Sequence, residues 1–204
     1  SNKGSYPHSY DVYFYNNVVV NGQKHNFDMG RSHNNLQNIY IGFNTFVEGP
    51  NTIKDNMNSS NMIGLTGIVE NNIFYGPLGA TGNYYSMVFR NNLWHLNNPP
   101  NNLLGLNSQK IDPKMIDPES LIRATKFPGE VSGTYVNFAD VEFLNNGFQS
   151  DFQTQDYTLS SNSPAINAAS NRTAAGGFTP PLAAYASDAL GSTRGSNPDI
   201  GAIE

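Results

Sequence analysis

An asparagine recurs at the same point in four similar segments, and this repeat constrains the fold more than any other feature. The segments read FYNNVVV from Phe14, IGFNTFV from Ile41, VENNIFY from Val69 and FRNNLWH from Phe89. Their shared asparagines are Asn17, Asn44, Asn72 and Asn92, which stand 27, 28 and 20 residues apart. Internal periods of about 20 to 50 residues are typical of a solenoid.

Each copy predicts two short β-strands that meet at the asparagine. None shows the apolar period of about 3.6 residues that marks a helix. Before this hinge, alternation predicts an inward set, Val12, Phe14, Ile39, Ile41, Met87 and Phe89, and an outward set, Tyr13, Tyr15, Tyr40, Gly42, Val88 and Arg90. After the hinge, stacked aromatic residues favour Val19, Phe46, Phe74 and Trp94 as core over the neighbouring column, Val20, Val47, Tyr75 and His95.

Coils of this size, built from short strands, predict an all-β fold, a right-handed parallel β-helix. Asparagine tolerates left-handed backbone geometry, and its amide can bond to the same asparagine one coil away, so we predict an asparagine ladder. A chain of 204 residues suits one domain. We assign residues 1–150 to β-helix coils with inserted loops, and residues 151–204 to a C-terminal capping segment of the same domain.

Charge and cysteine content narrow the classes of function. Charged residues make up 13% of the chain, the net charge is −5 and no run of Lys or Arg occurs, which argues against nucleic acid and anionic membranes as partners. No apolar stretch approaches the length of about 18 residues expected of a membrane span. The absence of cysteine excludes disulfides and thiol catalysis.

Three motifs stand in the last part of the chain: IDPKMIDPES (111–120), DYTLSSNSPAINAAS (156–170) and DALGSTRGSNPDIGAIE (188–204). Together they resemble the closing region of secreted bacterial β-helix proteins of the pectin-lyase-like superfamily. The resemblance implies a right-handed β-helix, an extracellular or cell-surface location, and a polysaccharide or cell-surface glycan as partner. It specifies no activity, because that superfamily includes lyases, hydrolases, epimerases, adhesins and structural proteins.

The segment DYTLSSNSPAINAAS is expected to cap the last coil, with Leu159 and Ile166 turned inward. An open coil would expose strand edges and apolar core to water. At the other end, the chain enters its first repeat almost at once, with no amphipathic cap before it. Three interpretations follow: the C-terminal part of a longer protein, a processed product, or a subunit whose open N-terminal end meets further coils or identical subunits.

Two patches are candidates for carbohydrate chemistry. The first is an outward column in which Glu70 and Arg90 lie on adjacent coils, about 4.8 Å apart. We predict catalytic roles for Glu70, Arg90 and His95, and substrate-binding roles for Tyr15 and Tyr75. The alternative is a surface ion pair with aromatic neighbours that only cover a sheet.

The second patch is the loop GQKHNFDMGRSH, residues 22–33. Its Lys and Arg side chains would bind a sugar carboxylate and its His side chains would serve as a base. We assign Arg31 and His33 to catalysis, and Lys24 and His25 to substrate binding. The alternative is a solvated polar loop.

Calcium is the one cofactor in question, because lyases of the resembled family neutralise the sugar carboxylate with calcium or with a basic side chain. Asp112, Asp117 and Glu119 are oxygen ligands of the kind calcium prefers, although Asp before Pro also commonly starts a turn. No sequence spacing identifies a metal site, so the metal ligands stay unknown.

The sequence therefore predicts an extracellular β-helix protein that binds or processes carbohydrate, and as an enzyme it would be a polysaccharide lyase or a glycoside hydrolase. Whether it is an enzyme stays open. The alternative is a non-catalytic structural or adhesive surface module, or a self-assembling subunit, because an open coil is a template for strand pairing.

Overall fold

The structure is a computed structural model, and it describes residues 9–20, 26–28, 36–47, 57–59, 66–76, 80–82, 84, 86–97, 99, 101–118 and 156–203. The first strand, β1 (Ser9–Tyr10), pairs in parallel with β5 (Leu36–Gln37), one repeat later. The same relation holds between successive coils in three further sheets. The chain is a parallel β-helix, as the repeat predicts, and the hand of the coil stays a prediction.

The strands before the hinge form the first sheet. In chain order they are β2 (Tyr13–Tyr15), β6 (Ile39–Gly42), β9 (Thr66–Glu70) and β12 (Ser86–Arg90). The register pairs Tyr15 with Gly42, Gly42 with Glu70, and Glu70 with Arg90. The outward column predicted from the repeats is therefore one continuous row.

The strands after the hinge form the second sheet: β3 (Val18–Val20), β7 (Thr45–Val47), β10 (Ile73–Tyr75), β13 (Leu93–His95) and β14 (Gln109–Lys110). A third sheet contains β4 (Phe27–Asp28), β8 (Met57–Ser59) and β11 (Ala80–Gly82). A one-turn helix, α1 (Asn101–Leu104), precedes β14. Finally, β15 (Met115–Asp117) pairs antiparallel with β16 (Asp156–Leu159).

The asparagine ladder is confirmed. At each step, Oδ1 of one asparagine accepts hydrogen bonds from the backbone N–H and from Nδ2 of the asparagine one coil earlier. The series runs from Asn17 through Asn44 and Asn72 to Asn92, with every donor–acceptor distance between 2.9 and 3.0 Å. Ser108 ends it, because its Oγ accepts the N–H of Asn92 at 3.0 Å.

The left-handed residue of the hinge lies one position before the ladder asparagine. Positive φ occurs at Asn16 (57°), Phe43 (53°), Asn71 (57°) and Asn91 (52°). The ladder residue itself keeps its N–H aimed at the next coil, so the chain changes direction at the preceding residue. Three of these four residues are again asparagine, the type that best tolerates this conformation.

The interior between the sheets contains the predicted core. Ile39, Ile41 and Phe46 are fully or almost fully buried there. Ring stacking continues across coils, with centroids 5.1 Å apart from Phe46 to Phe74 and 4.1 Å from Phe74 to Trp94. The inward column after the hinge is therefore confirmed. Val12 differs from the inward set, because it lies on the first described coil and is 36% exposed.

The outer face of the first sheet is also buried in its central coils, and the alternation of side chains did not predict this. Tyr40, Phe43 and Ile68 pack against Phe178 and Ala184. Both of these lie in residues 160–203, which we call the C-terminal segment. This segment contacts the side of the coils. The capping role predicted for residues 151–204 stays a prediction.

The hinge line is where the C-terminal segment attaches most closely. The N–H of Gly201 donates to the carbonyl of Asn71 at 2.9 Å, and the N–H of Ala202 donates to Oγ1 of Thr45 at 3.1 Å. Gly201 has φ of 105°, and a Cβ there would lie 2.8 Å from Cδ1 of Ile73. The glycine of the motif DIGAIE thus permits a close approach to the second sheet.

Replacing the ladder residue Asn72 by alanine tests the ladder. We expect Asn72→Ala to lower the free energy of unfolding by about 3 kcal/mol or more, because it leaves several buried polar groups without partners. Urea unfolding measures this. The control Asn162→Ala, at an exposed asparagine, should change stability by no more than about 0.5 kcal/mol. Equal effects of the two substitutions would contradict the ladder's role.

Candidate functional site

Glu70 and Arg90 form the ion pair expected from their register. Oε2 of Glu70 lies 2.5 Å from Nε of Arg90. The Glu70 side chain is 0% exposed and that of Arg90 is 13% exposed. The contact is confirmed, but this is a buried pair, and the alternative of a surface ion pair is wrong.

The C-terminal segment supplies the other partners of this pair. The hydroxyl of Tyr185 donates to Oε1 of Glu70, and Oγ of Ser170 lies 3.4 Å from Oε2 and 3.1 Å from Oδ1 of Asn71. On the other side, Nη2 of Arg90 donates to the carbonyl of Thr173 at 2.7 Å. Both charges are therefore hydrogen-bonded to residues far away in sequence, as a buried pair requires.

A second tyrosine fills the space beside the carboxylate. A Cβ at Gly42 would lie 2.2 Å from the hydroxyl oxygen of Tyr40, so the Tyr40 ring occupies the place of that missing side chain. Burial, and then the charge of Glu70, raise the pKa of Tyr40 well above 10.0. The same two causes raise the pKa of Tyr185 above its ordinary value. Both tyrosines are neutral across the physiological range.

The left-handed asparagines form a second column that binds the C-terminal segment. Nδ2 of Asn16 donates to the carbonyl of Ser187 at 2.5 Å. Oδ1 of Asn71 accepts the N–H of Ser170 at 2.8 Å, and Nδ2 of Asn91 donates to the carbonyl of Ala168 at 2.8 Å. These contacts bind the segment to three of the four hinges.

At the fourth hinge an aromatic ring replaces the asparagine, and Arg194 lies over it. The guanidinium is 4.3 Å from the centre of the Phe43 ring. Its Nη2 donates to the carbonyl of Gly201 at 2.9 Å and to Oδ1 of Asn16 at 3.2 Å. Sequence reasoning missed Tyr185, Ser170 and Arg194 as partners of the coils. The one sequence feature that indicated a need for such partners was the lone glutamate in the repeat VENNIFY.

The remaining predicted residues fall into separate groups. Tyr75 and His95 are paired neighbours in the second sheet, with ring centroids 4.8 Å apart. Tyr15 is half-buried on the first sheet, with its ring centroid 6.3 Å from that of Tyr40. Thus the structure brings together Glu70 with Arg90, and Tyr75 with His95, on different sheets. Lys24, His25, Arg31 and His33 lie outside the described residues, and their roles stay predictions.

A groove of about 590 Å³ opens beside Tyr75. Asp112, Lys114, Met115, Ile116, Pro118 and Ser160 line its other sides. Oδ1 of Asp112 accepts the N–H of Lys114 at 2.8 Å, so this Asp-Pro motif does start a turn. The carbonyl of Lys114 in turn accepts the N–H of Ser160 at 2.9 Å, which joins the turn to the C-terminal segment.

Within the described ranges, no three His, Asp or Glu side chains converge in the manner of metal ligands. Of the three acidic residues considered for calcium, Glu119 lies outside those ranges. In the same part of the chain, no helix is long and apolar enough to cross a membrane.

Comparison with known proteins assigns no family. No protein-family model matches the chain, and no curated protein matches it. What is established is the architecture, a parallel β-helix whose first sheet is covered by its own C-terminal segment.

Arg90→Ala tests whether the buried pair stabilises the fold. We expect a loss of about 3–5 kcal/mol in the free energy of unfolding, because the substitution leaves an uncompensated charge on Glu70. The double variant Glu70→Gln/Arg90→Met should lose distinctly less, because it leaves no buried charge. Urea unfolding at pH 7 compares the two. If Arg90→Ala is as stable as the natural chain, the pair is not buried.

The raised tyrosine pKa values predict a loss of stability at high pH. Above pH 10 the tyrosines of the unfolded chain ionise while Tyr40 and Tyr185 stay protonated, so stability falls by up to about 1.4 kcal/mol per pH unit for each. Tyr185→Phe should make this decline shallower, whereas Tyr13→Phe, at an exposed residue, should not. Unfolding between pH 8 and 11 tests this, and identical slopes for all three proteins would be inconsistent with a buried Tyr185.

Proposed function

We propose that the chain is an extracellular, pectin-lyase-like β-helix protein that binds a polysaccharide or cell-surface glycan in the groove beside Tyr75. The observation that supports this is the meeting of an aromatic pair with a polar wall. Tyr75, whose ring is in tilted contact with that of His95, lies at one side, and Asp112, Lys114 and Ser160 supply carboxylate, ammonium and hydroxyl groups at the other. Sugar rings need both an apolar surface and a few directed polar groups.

The size and the construction of the groove agree with this proposal. Ligand sites usually have volumes of about 300–1,000 Å³, and this groove has about 590 Å³. Its polar wall is held by the Asp112 turn and by the bond from Ser160 to Lys114. Because rigid support of this kind already orders the groove, less conformational entropy is lost when a ligand binds.

Carbohydrate processing is the catalytic form of this proposal. His95 contacts Tyr75 beside the groove and is the candidate base there. Catalysis by Glu70 and Arg90 would require the C-terminal segment to leave the first sheet, since the carboxylate is 0% exposed. Calcium, if it takes part, would draw on the carboxylate of Asp112 at the groove.

A non-catalytic structural or adhesive module is the second candidate function. One observation favours it: the buried ion pair of Glu70 with Arg90 serves to bind the chain's own C-terminal segment. Such a module would use the β-helix as a rigid rod and the groove, at most, for attachment.

Lys114→Ala tests binding in the groove. On a panel of alginate, pectate, chondroitin, xylan and agar, we expect the best ligand to bind this variant about tenfold more weakly, the effect of losing one charge-assisted contact. Lys110→Ala removes the same charge four residues away, outside the groove lining, and should bind normally. Equal binding by all variants would exclude the groove, and binding to none of the polymers would exclude this proposal.

The same panel separates binding from catalysis. With calcium present, a rise in ultraviolet absorbance from unsaturated uronates would identify a lyase, and new reducing ends alone would identify a hydrolase. Binding without either product would support the attachment module.

A further inference from the structure

Lys114, which lines the groove beside Tyr75, has a backbone conformation that is unfavourable for its residue type. Its φ is 51°, in the left-handed region. Within the described ranges, ten non-glycine residues have positive φ, and seven of them are asparagine or aspartate, the types that tolerate it best. Lysine has no short polar side chain to offset the steric cost. The fold therefore keeps a lysine where an asparagine would suit the backbone better.

Three hydrogen bonds fix this conformation, because they hold both peptide groups that flank Lys114. The preceding peptide donates its N–H to Oδ1 of Asp112 at 2.8 Å, and its carbonyl, on Pro113, accepts the hydroxyl of Ser163 at 2.5 Å. The carbonyl of the following peptide accepts the N–H of Ser160 at 2.9 Å. Since the planes of its two peptide groups set φ and ψ of a residue, these bonds determine the backbone of Lys114.

Ser163 is the buried member of this set. The residue is only 7% exposed, and its Oγ also accepts the N–H of Ala165 at 3.1 Å. Because one partner donates to the hydroxyl and another accepts from it, the hydroxyl is held in one orientation. Ser160 and Ser163 both belong to the C-terminal segment, so this segment helps to hold Lys114 in its conformation.

The position of Lys114 connects this strain with the groove. Its neighbours in the chain, Pro113 and Met115, are buried, whereas Lys114 is exposed and lines the groove with Asp112 and Ser160. Strained residues persist only where the surrounding structure determines them, and they concentrate at ligand sites. The strain at Lys114 therefore indicates that the lysine side chain is needed at this place.

We propose that Ser163 is a positioning residue for ligand binding: its hydroxyl holds Lys114 in the left-handed conformation that presents the lysine ammonium to a ligand in the groove. This inference rests on the proposed function and adds two statements to it. Lysine is kept at position 114 for binding, at a cost in stability. The C-terminal segment contributes to binding through Ser163, which lies outside the groove lining.

Lys114→Asn tests the strain without any ligand. Asparagine tolerates left-handed geometry, so we expect the Tm to rise by about 2–4 °C. The same variant should bind its best polymer about tenfold more weakly, because the ammonium is lost. Lys110→Asn is the control, since Lys110 is not among the left-handed residues, and it should not raise the Tm. An unchanged or lower Tm for Lys114→Asn would overturn the proposal, and this holds even if variants of Ser163 fail to fold.

Ser163→Ala tests the positioning, with alginate, pectate, chondroitin, xylan and agar as probes. We expect binding to weaken about threefold or more in the natural background, and no further in the Lys114→Ala background. Binding by Ser163→Ala should also depend less on salt, as binding by Lys114→Ala does, a change that destabilisation alone does not produce. The control Ser108→Ala removes another hydroxyl that bonds the backbone, outside the groove lining, and should bind normally.

The outcomes separate this inference from the proposed function. If no polymer binds the natural chain, or if Lys114→Ala binds as well as the natural chain, the proposed function is wrong and the inference is wrong with it. If Lys114→Ala binds more weakly but Ser163→Ala binds normally, only the inference is overturned. It is also overturned if Ser163→Ala weakens binding by the same factor in both backgrounds, because Ser163 would then act independently of Lys114.

Discussion

The asparagine ladder is the interaction on which the rest of the structure depends. Each rung fixes the height of one coil relative to the next, because its amide bonds both the neighbouring asparagine and a neighbouring backbone carbonyl. With the hinges aligned, the aromatic column from Phe46 to Trp94 stacks in the interior, and Glu70 lies directly beside Arg90 on the outside. Repeats of unequal length are tolerated because the additional residues fall between the aligned strands, away from the hinge.

The second constraint is a buried charge. A buried carboxylate requires partners. Arg90 of the same sheet is one, and the C-terminal segment brings the hydroxyls of Tyr185 and Ser170 close to it. The burial of Glu70 in the third coil therefore depends on residues about a hundred positions later in the chain. It also explains why the outward column is covered. The groove lies beside Tyr75 of the second sheet, whose side chain is 8% exposed and belongs to one cluster with Met115, Tyr157 and Ile200.

The repeat was sufficient to predict the coils, the ladder and the inner aromatic column, because all three follow from a pattern that recurs within the chain. The cover over the first sheet was not predictable in the same way. Alternation identifies the two faces of a strand but does not show what packs against each face. It therefore predicts an exposed Tyr40, whereas Phe178 and Ala184 cover this residue in the structure. The contact from Glu70 to Arg90 was predicted correctly from register, whereas its burial depends on a distant segment. The groove was missed because Tyr75 and the turn at Asp112 lie far apart in the sequence, and that turn falls outside the repeat.

Residue-resolved amide hydrogen exchange of the intact chain tests whether the ladder and the C-terminal segment form one cooperative structure. We expect the N–H groups of Asn44 and Asn72 to exchange as slowly as those of Ser170 and Gly201, with similar opening free energies. Fast exchange at Ser170 and Gly201 beside a protected ladder would contradict it, because the first sheet would then be open to solvent and Glu70 would be accessible.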